Sequence, residues 1–206
     1  MEPRNLETIK ANLKSQGSVL LVGQETFLSH EEFEELETLA DNLPREHVEV
    51  GDADEPNYLD VGRFLTDVES VELVNRPSSD RALEILGKQE LMNMYSYLLE
   101  EEKLYIRRMQ YNILHENCFV GRHLDTDSNP DYIVAVVIQF GDEFEGGNYV
   151  VYGGGMPPRI FHPVRHSITI SRCEFPHEVT KLTSGERKSL VYFLSAHGEE
   201  NRRVIK

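Results

Sequence analysis

The segment His123-Leu124-Asp125 places an imidazole and a carboxylate two residues apart. We expect a strand to end here. Residues i and i+2 of a strand project from the same face, so these two side chains should converge. One imidazole nitrogen and one carboxylate oxygen suit a divalent first-row metal, and a second histidine would complete the two-histidine, one-carboxylate set that leaves coordination positions open on Fe(II).

The His-x-Asp spacing alone is weak evidence for a metal, because a surface pair joined by a hydrogen bond has the same sequence. His30 and Glu32 show a similar spacing but lie at a predicted helix start, where positions i and i+2 diverge. His162 and His166 are four residues apart, yet Pro163 argues against the helix that would bring them together. We interpret His162 and His166 as loop or strand histidines.

A second segment, residues 175–193, carries further polar residues at defined spacing. It reads FPHEVTKLTSGERKSLVYF, with His177, a Ser-Gly turn, and Arg187 ten residues after the histidine. This arrangement resembles the closing strands of the Fe(II)/2-oxoglutarate-dependent oxygenases, particularly their prolyl 4-hydroxylase-like branch. The sequence FEGG at 144–147 resembles that branch's glycine turn, and ETFLSHEEFEEL at 25–36 is similar to its leading helix.

The resemblance implies a double-stranded β-helix with an iron site at its mouth. The implied iron ligands are His123, Asp125 and His177. Arg187 would bind the distal carboxylate of 2-oxoglutarate, because a planar guanidinium can donate two parallel hydrogen bonds. Ser189, two residues further along the same strand, would add a hydroxyl donor. Tyr111, on the strand that leads to His123, resembles the tyrosine that helps to hold the co-substrate.

The resemblance also implies the reaction. The cofactor would be Fe(II), and 2-oxoglutarate and O2 would be co-substrates, with succinate and CO2 as co-products. Hydroxylation of an unactivated C–H bond is the commonest outcome in this superfamily. In such a reaction the protein holds the metal ligands and the arginine that binds 2-oxoglutarate in place and keeps water out of the pocket, while the metal carries out the oxidation.

We expect the substrate to be a small molecule, namely a free amino acid or a related metabolite. A chain of 206 residues has little room for a dedicated peptide-binding domain. A substrate carboxylate could meet Arg122, Arg159 or Arg172, although each is also typical of a solvated surface. The alternative is a peptidyl-prolyl or other protein hydroxylase, in line with the prolyl 4-hydroxylase likeness.

Two functions of another class stay open. A non-catalytic jelly-roll binding module could retain the same ligands without turnover. A zinc-structured binding domain could use Cys118, His123, Cys173 and His177, since closed Cys2His2 sites exist. The zinc hypothesis leaves Asp125 without a role, and the expected alternative is two inert, buried cysteines.

Hydrophobic periodicity places these residues on secondary structure. Amphipathic helices are predicted at residues 5–16, 29–44 and 80–101. The second begins with the capping box Ser29-x-x-Glu32, and the third is interrupted at Gly87. Alternating or β-branched apolar runs predict strands at residues 18–22, 104–114, 131–140, 167–171 and 187–194.

Helices followed by about seven or eight short strands predict an α+β chain. We expect a cupin-like jelly roll, the double-stranded β-helix, with N-terminal helices packed on it. Residues 1–103 would form an N-terminal helical and supporting-strand region, and residues 104–206 would form the catalytic jelly-roll core, together in one structural domain. This length suffices to bury a sizeable core.

Composition excludes several classes of function. The chain has 36 acidic and 21 basic residues, a net charge of −15, which argues against nucleic acid as a partner. Residues 1–100 hold 22 acids and 8 bases, whereas the remainder is nearly neutral, so an anion site is best placed in the second half. No apolar run is as long as a membrane-spanning helix, so we expect no membrane partner and a cytoplasmic location. In that compartment we expect the cysteines to be free thiols.

Overall fold

The structure, a computed structural model, describes residues 6–50, 55, 57–153 and 155–203, with Met156 described by its backbone only. Four α-helices lie in the first half of this described part. They are Leu6–Gln16 (α1), His30–Asp41 (α2), Ser78–Leu86 (α3) and Gln89–Leu99 (α4). The capping box at the start of α2 is confirmed, because the backbone N–H of Glu32 donates to Ser29 Oγ and the backbone N–H of Ser29 donates to Glu32 Oε2.

Fourteen strands are present in the described ranges. Those before residue 100 are Ser18–Leu21 (β1), Arg45–Glu49 (β2), Tyr58–Asp67 (β3) and Val71–Leu73 (β4). Those after it are Tyr105–Leu114 (β5), Val120–His123 (β6), Val134–Phe140 (β7), Glu145–Gly146 (β8), Tyr149–Gly153 (β9), Met156–Phe161 (β10), Ile168–Arg172 (β11), His177–Val179 (β12), Leu182–Ser184 (β13) and Arg187–Ser195 (β14).

The strands form two antiparallel sheets and one short pair. The larger sheet has the order β1-β11-β7-β14-β5-β3-β2, with β4 paired to β3. The smaller sheet has the order β10-β9-β12-β6, and β13 pairs with β8. Leu59 and Leu114 of the larger sheet pack with Tyr149, Val151 and Val179 of the smaller one, so the two sheets face each other. The α+β fold with a jelly-roll core is confirmed.

The larger sheet has one face toward the helices and one toward the smaller sheet. Met109 and Ile113 of β5 and Leu190 and Tyr192 of β14 belong to the main apolar core, which the helices cover. Alternate residues of the same two strands therefore face the other sheet. Strand β7 is buried at every position, as expected of a central strand whose two faces are both covered.

Sequence patterns did not predict β2, β3 and β4. Strand β3 contains Gly62 and several polar residues, which weakens its strand signal, yet it pairs with β5 from Leu59 to Leu65. The glycine is needed because a Cβ at Gly62 would lie 2.9 Å from Leu43 Cβ. Strands from both sides of residue 103 thus share the larger sheet, and the division of the chain at that residue stays a prediction.

A membrane span was not expected. In the part of the chain that the structure describes, no helix combines the length and the apolar character needed to cross a bilayer.

Candidate active site

Three predicted ligands converge between the two sheets. His123 ends β6, His177 begins β12, and the two are cross-strand partners, which brings their ring centroids to 4.4 Å. Asp125 lies in a single 3-10 turn directly after β6. Its Oδ1 is 3.5 Å from His123 Nε2 and its Oδ2 is 3.5 Å from His177 Nε2. One ligand atom from each residue lies within 4.8 Å of the others, close enough for a shared metal ion.

Backbone carbonyls fix the tautomers of both imidazoles. His123 Nδ1 lies 2.8 Å from the carbonyl oxygen of Gly121, and His177 Nδ1 lies 3.1 Å from that of Phe175. A carbonyl oxygen only accepts, so each Nδ1 carries the proton and donates. Each Nε2 then points its lone pair toward Asp125 in the neutral imidazole, which is how metal-bound histidines are commonly oriented.

Asp125 is a buried carboxylate. Burial by itself raises the pKa of Asp125, but the hydrogen bond with His123, the charge of His177 when that ring is protonated and the charge of Arg108 outweigh it and hold that pKa below its ordinary value. Its Oδ2 is buried without a hydrogen-bond donor. A carboxylate oxygen in that position, facing a histidine nitrogen at 3.5 Å, fits a cation bound between the two.

Arg187, the first residue of β14, is 6% exposed and lines the same cavity. It forms no ion pair with any carboxylate among the described residues, and its Nε is buried without an acceptor. Burial lowers the pKa of Arg187 to about 10, so the guanidinium remains charged at neutral pH. Ser189, also buried, lines the cavity two residues further along β14, as the sequence predicts.

The glycine turn before β9 makes room for Arg187. Gly147 has a φ of +57° and a Cβ there would lie 3.1 Å from Arg187 Cδ and 2.9 Å from Leu182 Cδ1. Only glycine meets both the positive φ and this close approach without strain.

The structure places Tyr111 apart from the other predicted site residues. Its side chain is fully buried in the core on the helix side of β5, and its hydroxyl donates to Asp41 Oδ1 at 2.8 Å. It does not line the cavity, whereas its neighbours Gln110 and Asn112 do. The sequence gives the alternation of side chains along β5 but not which of the two faces meets the site.

The cysteines lie outside the group of three ligands, although the thiol of Cys173 contacts Asp125. Cys173 is buried beside Tyr132 and Phe193, and Cys118 packs against the apolar cluster between the sheets. Neither belongs to a group of three or more metal-type side chains within the described ranges. Both are free thiols there, as predicted. The Cys2His2 zinc hypothesis is therefore not supported by the geometry.

The arginines expected to meet a substrate carboxylate lie elsewhere. Arg122 stacks on Tyr152 with its Cζ 4.1 Å from the ring centroid, and Arg172 donates to Glu174. Arg159 donates to the side chain of Gln16. None of the three lines the cavity.

The cavity between the sheets has a volume of about 640 Å³. Besides the predicted residues, its wall carries Arg108, Gln110, Asn112 and Tyr149, which sequence patterns did not single out. Tyr149 follows the glycine turn and donates its hydroxyl to Ser171 Oγ at 2.7 Å. Its ring lies 5.2 Å from that of His177, so it packs directly beside the three ligands.

A second histidine and carboxylate group lies at the start of α2. It consists of His30, Glu34 and His166. His30 is exposed, and Glu34 already accepts from Arg165 at 2.8 Å, so this carboxylate is paired without a metal. His162 lies apart from this group, with its Nδ1 2.8 Å from Asn148 Oδ1.

Comparison with known proteins finds relatives of this chain among solved structures. No family model matches the sequence, and no curated protein matches it. Among solved structures, the chain is 36% identical to an oxidoreductase of the 2OG-Fe(II) oxygenase family from Burkholderia pseudomallei, with 98% of this chain and 95% of that chain covered and a TM-score of 0.92.

Two more distant structures share the fold. The alpha-ketoglutarate-dependent epimerase SnoN from nogalamycin biosynthesis is 16% identical, with 94% of this chain and 82% of that chain covered and a TM-score of 0.72. A prolyl-4-hydroxylase from Pseudomonas putida is 17% identical, with 94% and 100% covered and a TM-score of 0.65.

Proposed function

This chain belongs to the 2OG-Fe(II) oxygenase family, and from that premise we propose that it hydroxylates an unactivated C–H bond of a small molecule. The resemblance predicted from the sequence is thereby confirmed. The expected substrate is a free amino acid or a related metabolite, and succinate and CO2 are the co-products. The observation that carries this proposal is the convergence of two Nε2 atoms and a buried carboxylate in a cavity that also holds an unpaired arginine.

The proposed ligands of Fe(II) are His123, Asp125 and His177. Their donor set is the two-histidine, one-carboxylate set that suits Fe(II) and leaves positions open. The fit rests on the two Nε2 atoms that face one carboxylate and on the buried Oδ2 that lacks a donor. The backbone carbonyls that accept from each Nδ1 hold the two imidazoles in the orientation that metal binding requires.

Arg187 is the proposed anchor for 2-oxoglutarate. A buried guanidinium without a carboxylate partner favours an anionic ligand, since buried charges are almost always paired. The hydroxyl of Ser189 lies on the same face of β14 and would add a donor to the bound carboxylate. Tyr149 lies near both Arg187 and His177. It would line the 2-oxoglutarate pocket, the role that the sequence predicted for Tyr111.

The bound metal and 2-oxoglutarate supply the activation of O2 and the oxidation of the substrate. The protein orients the reactants and excludes bulk water. Apolar side chains from both sheets, Leu114, Val120, Val137, Val179 and Val191, line the cavity for this purpose. Tyr149 stays neutral because burial and the charge of Asp125 raise its pKa well above the ordinary value.

The size of the cavity supports a small substrate. A volume of about 640 Å³ lies within the range of small-molecule and cofactor sites, and 2-oxoglutarate fills only part of it. The protein-hydroxylase alternative remains the competing proposal, because solved structures with this fold include a prolyl hydroxylase bound to a peptide fragment. Nucleic acid is not proposed, given the net charge of −15, and the cytoplasmic location stays a prediction.

An anaerobic titration with a subsequent turnover screen tests the proposal. The protein should bind about one Fe(II) and develop an absorbance band that depends on 2-oxoglutarate, and succinate should form when O2 is admitted. The screen should contain free amino acids, short proline-containing peptides and nucleosides, with products identified by mass. A free amino acid that gains one oxygen supports the proposal, whereas a peptide that does so supports the alternative. Stoichiometric binding without succinate from any compound would indicate a binding module.

A further inference from the structure

Arg108 is a cationic residue in the cavity with no role in the proposed iron or 2-oxoglutarate sites. It lies on the cavity face of β5, half-buried, together with Gln110 and Asn112. Its Nε donates to Gln110 Oε1 at 2.8 Å, and Gln110 Nε2 donates in turn to Asn112 Oδ1 at 2.7 Å. This ladder of side chains fixes the guanidinium plane in place.

The remaining donors of Arg108 are open. Within the described part of the chain, its two η nitrogens donate to no protein acceptor and it forms no ion pair with a carboxylate. Burial lowers the pKa of Arg108, and the charges of Asp125 and Asp67, which form no ion pair with it, do not offset that effect. Its neighbour Arg107, which faces the other side of β5, is by contrast paired with Asp67 at 2.9 Å.

Arg108 is remote from Arg187. The cross-strand partner of Arg187 on β5 is Leu114, six residues beyond Arg108, which corresponds to about 20 Å along the strand. One 2-oxoglutarate molecule anchored at Arg187 and bound at the iron therefore leaves Arg108 without an anion. Asp125 lies within electrostatic range of Arg108, so the far end of the cavity remains close to the iron site.

A further arginine lines the same cavity. Arg203 lines the cavity and donates from Nη1 to the backbone carbonyl of Asp127 at 2.6 Å. The charged side chains on the cavity wall are Arg108, Arg187, Arg203, Asp125 and Asp127. The cavity wall therefore has three cations and two carboxylates, and one of these carboxylates, Asp125, is a proposed metal ligand. The whole chain, by contrast, carries a net charge of −15. A cavity of this charge favours anionic ligands.

We propose that the substrate carries a carboxylate, which Arg108 binds at the end of the cavity remote from Arg187. This inference rests on the proposed function and names the chemical class of its substrate. Gln110 positions the guanidinium, and the reacting C–H bond lies between the carboxylate and the iron site. A free amino acid meets this requirement through its α-carboxylate, whereas an internal peptide residue meets it only with an acidic side chain.

The test compares acids with their amides in the anaerobic complex with Fe(II) and 2-oxoglutarate. Each free amino acid and small carboxylic acid of a panel, and its matched amide, is titrated while the 2-oxoglutarate-dependent absorbance band is followed. In the wild-type protein at least one acid should shift the band, and its amide should bind about ten- to a hundredfold more weakly. Arg108→Gln should weaken the acid by a similar factor and leave the parent band unchanged, and Arg108→Lys should fall between them.

Arg122→Gln is the matched control, because it removes an exposed guanidinium outside the cavity and should leave the binding of the acid unchanged. The inference is overturned if amides bind as well as acids, if Arg108→Gln leaves the affinity for the acid unaltered, or if no carboxylate of the panel shifts the band. Absence of the band itself in wild-type protein would instead contradict the proposed function. The melting temperature measured with the same acids tests Arg108 separately. An acid that binds should raise the melting temperature of the wild-type protein but not that of Arg108→Gln. No rise in the wild-type protein would overturn the inference.

Discussion

Two buried polar clusters differ in whether their charged side chains are paired with other side chains of the protein. The first, here called the Asp67 cluster, consists of Asp67, Arg107, Asn129 and Tyr132. Asp67 accepts from Arg107 at 2.9 Å, from Asn129 at 3.0 Å and from Tyr132 at 2.9 Å, and it is 8% exposed. Its charge is balanced by an arginine that is 1% exposed.

The second, the cavity cluster, consists of His123, Asp125, His177, Arg108 and Arg187. Here Asp125 Oδ2 and Arg187 Nε are buried without hydrogen-bond partners, and neither arginine pairs with a carboxylate among the described residues. Buried polar groups are normally satisfied, because an unpaired one costs about 1–3 kcal/mol. In the Asp67 cluster Arg107 Nε also lacks an acceptor, but the two opposite charges are paired. A cluster whose charges are paired within the protein serves stability, whereas one with unpaired charges has its missing partners supplied by ligands.

Removal of Asp67 should have the largest effect. Asp67→Ala leaves Arg107 charged and unpaired in the interior, so we expect a loss of about 3–5 kcal/mol in the free energy of unfolding, measured by chemical denaturation. Glu46→Ala, which removes the exposed partner of Arg63, is the control and should cost less than about 1 kcal/mol. Equal losses in the two variants would remove the distinction between the clusters.

Substitution of the proposed iron ligands should affect metal binding rather than folding. We expect His123→Ala, Asp125→Ala and His177→Ala each to weaken Fe(II) at least about 100-fold in an anaerobic titration, because each removes a coordinating atom. His166→Ala removes a histidine of the group at the start of α2, outside the cavity, and should leave Fe(II) affinity unchanged. Retention of the 2-oxoglutarate-dependent band in all three ligand variants would contradict the assignment.

Arg187→Gln should weaken 2-oxoglutarate with little change in Fe(II) affinity. The loss of a charged hydrogen-bond set corresponds to about 1.5–3 kcal/mol, measured by calorimetry on the anaerobic iron complex. Ser189→Ala removes one neutral donor and should cost about 0.5–1.5 kcal/mol. Unlike Asp67→Ala, Arg187→Gln strands no opposite charge, so its free energy of unfolding without ligands should change by less than about 1 kcal/mol. Unaltered affinity for 2-oxoglutarate would exclude Arg187 from this role.

A surface carboxylate should give the smallest effect and a defined pH dependence. Hydrogen bonds with His47 and then His115 lower the pKa of Asp60 below 3.8. A lowered folded-state pKa contributes stability above the unfolded value, and that contribution disappears as the pH falls through the folded value. Asp60→Asn should therefore cost about 0.5 kcal/mol at pH 7, and this cost should shrink as the pH falls through the folded-state pKa of Asp60. A difference that persists at acid pH would indicate another cause.

Local patterns predicted the parts of the fold that depend on neighbouring residues. The capping box of α2, the break at Gly87 and the fully buried β7 were all predicted and found. Strand β3 was not, because its own sequence lacks a clear alternation and β5, the partner that joins it to the rest of the larger sheet, lies more than forty residues away. Pairing over such a distance depends on contacts that no local window contains.

The sequence by itself determined which side chains are available for chemistry: two histidines, a carboxylate and an arginine at spacings that fit strand ends. Only the tertiary structure decided that His177 pairs across strands with His123, that Tyr111 faces the helices, and that Arg108 faces the cavity. The physical reason is that alternation along a strand separates two faces without identifying them. The packing of helices and of the second sheet assigns one face to the core and the other to the site.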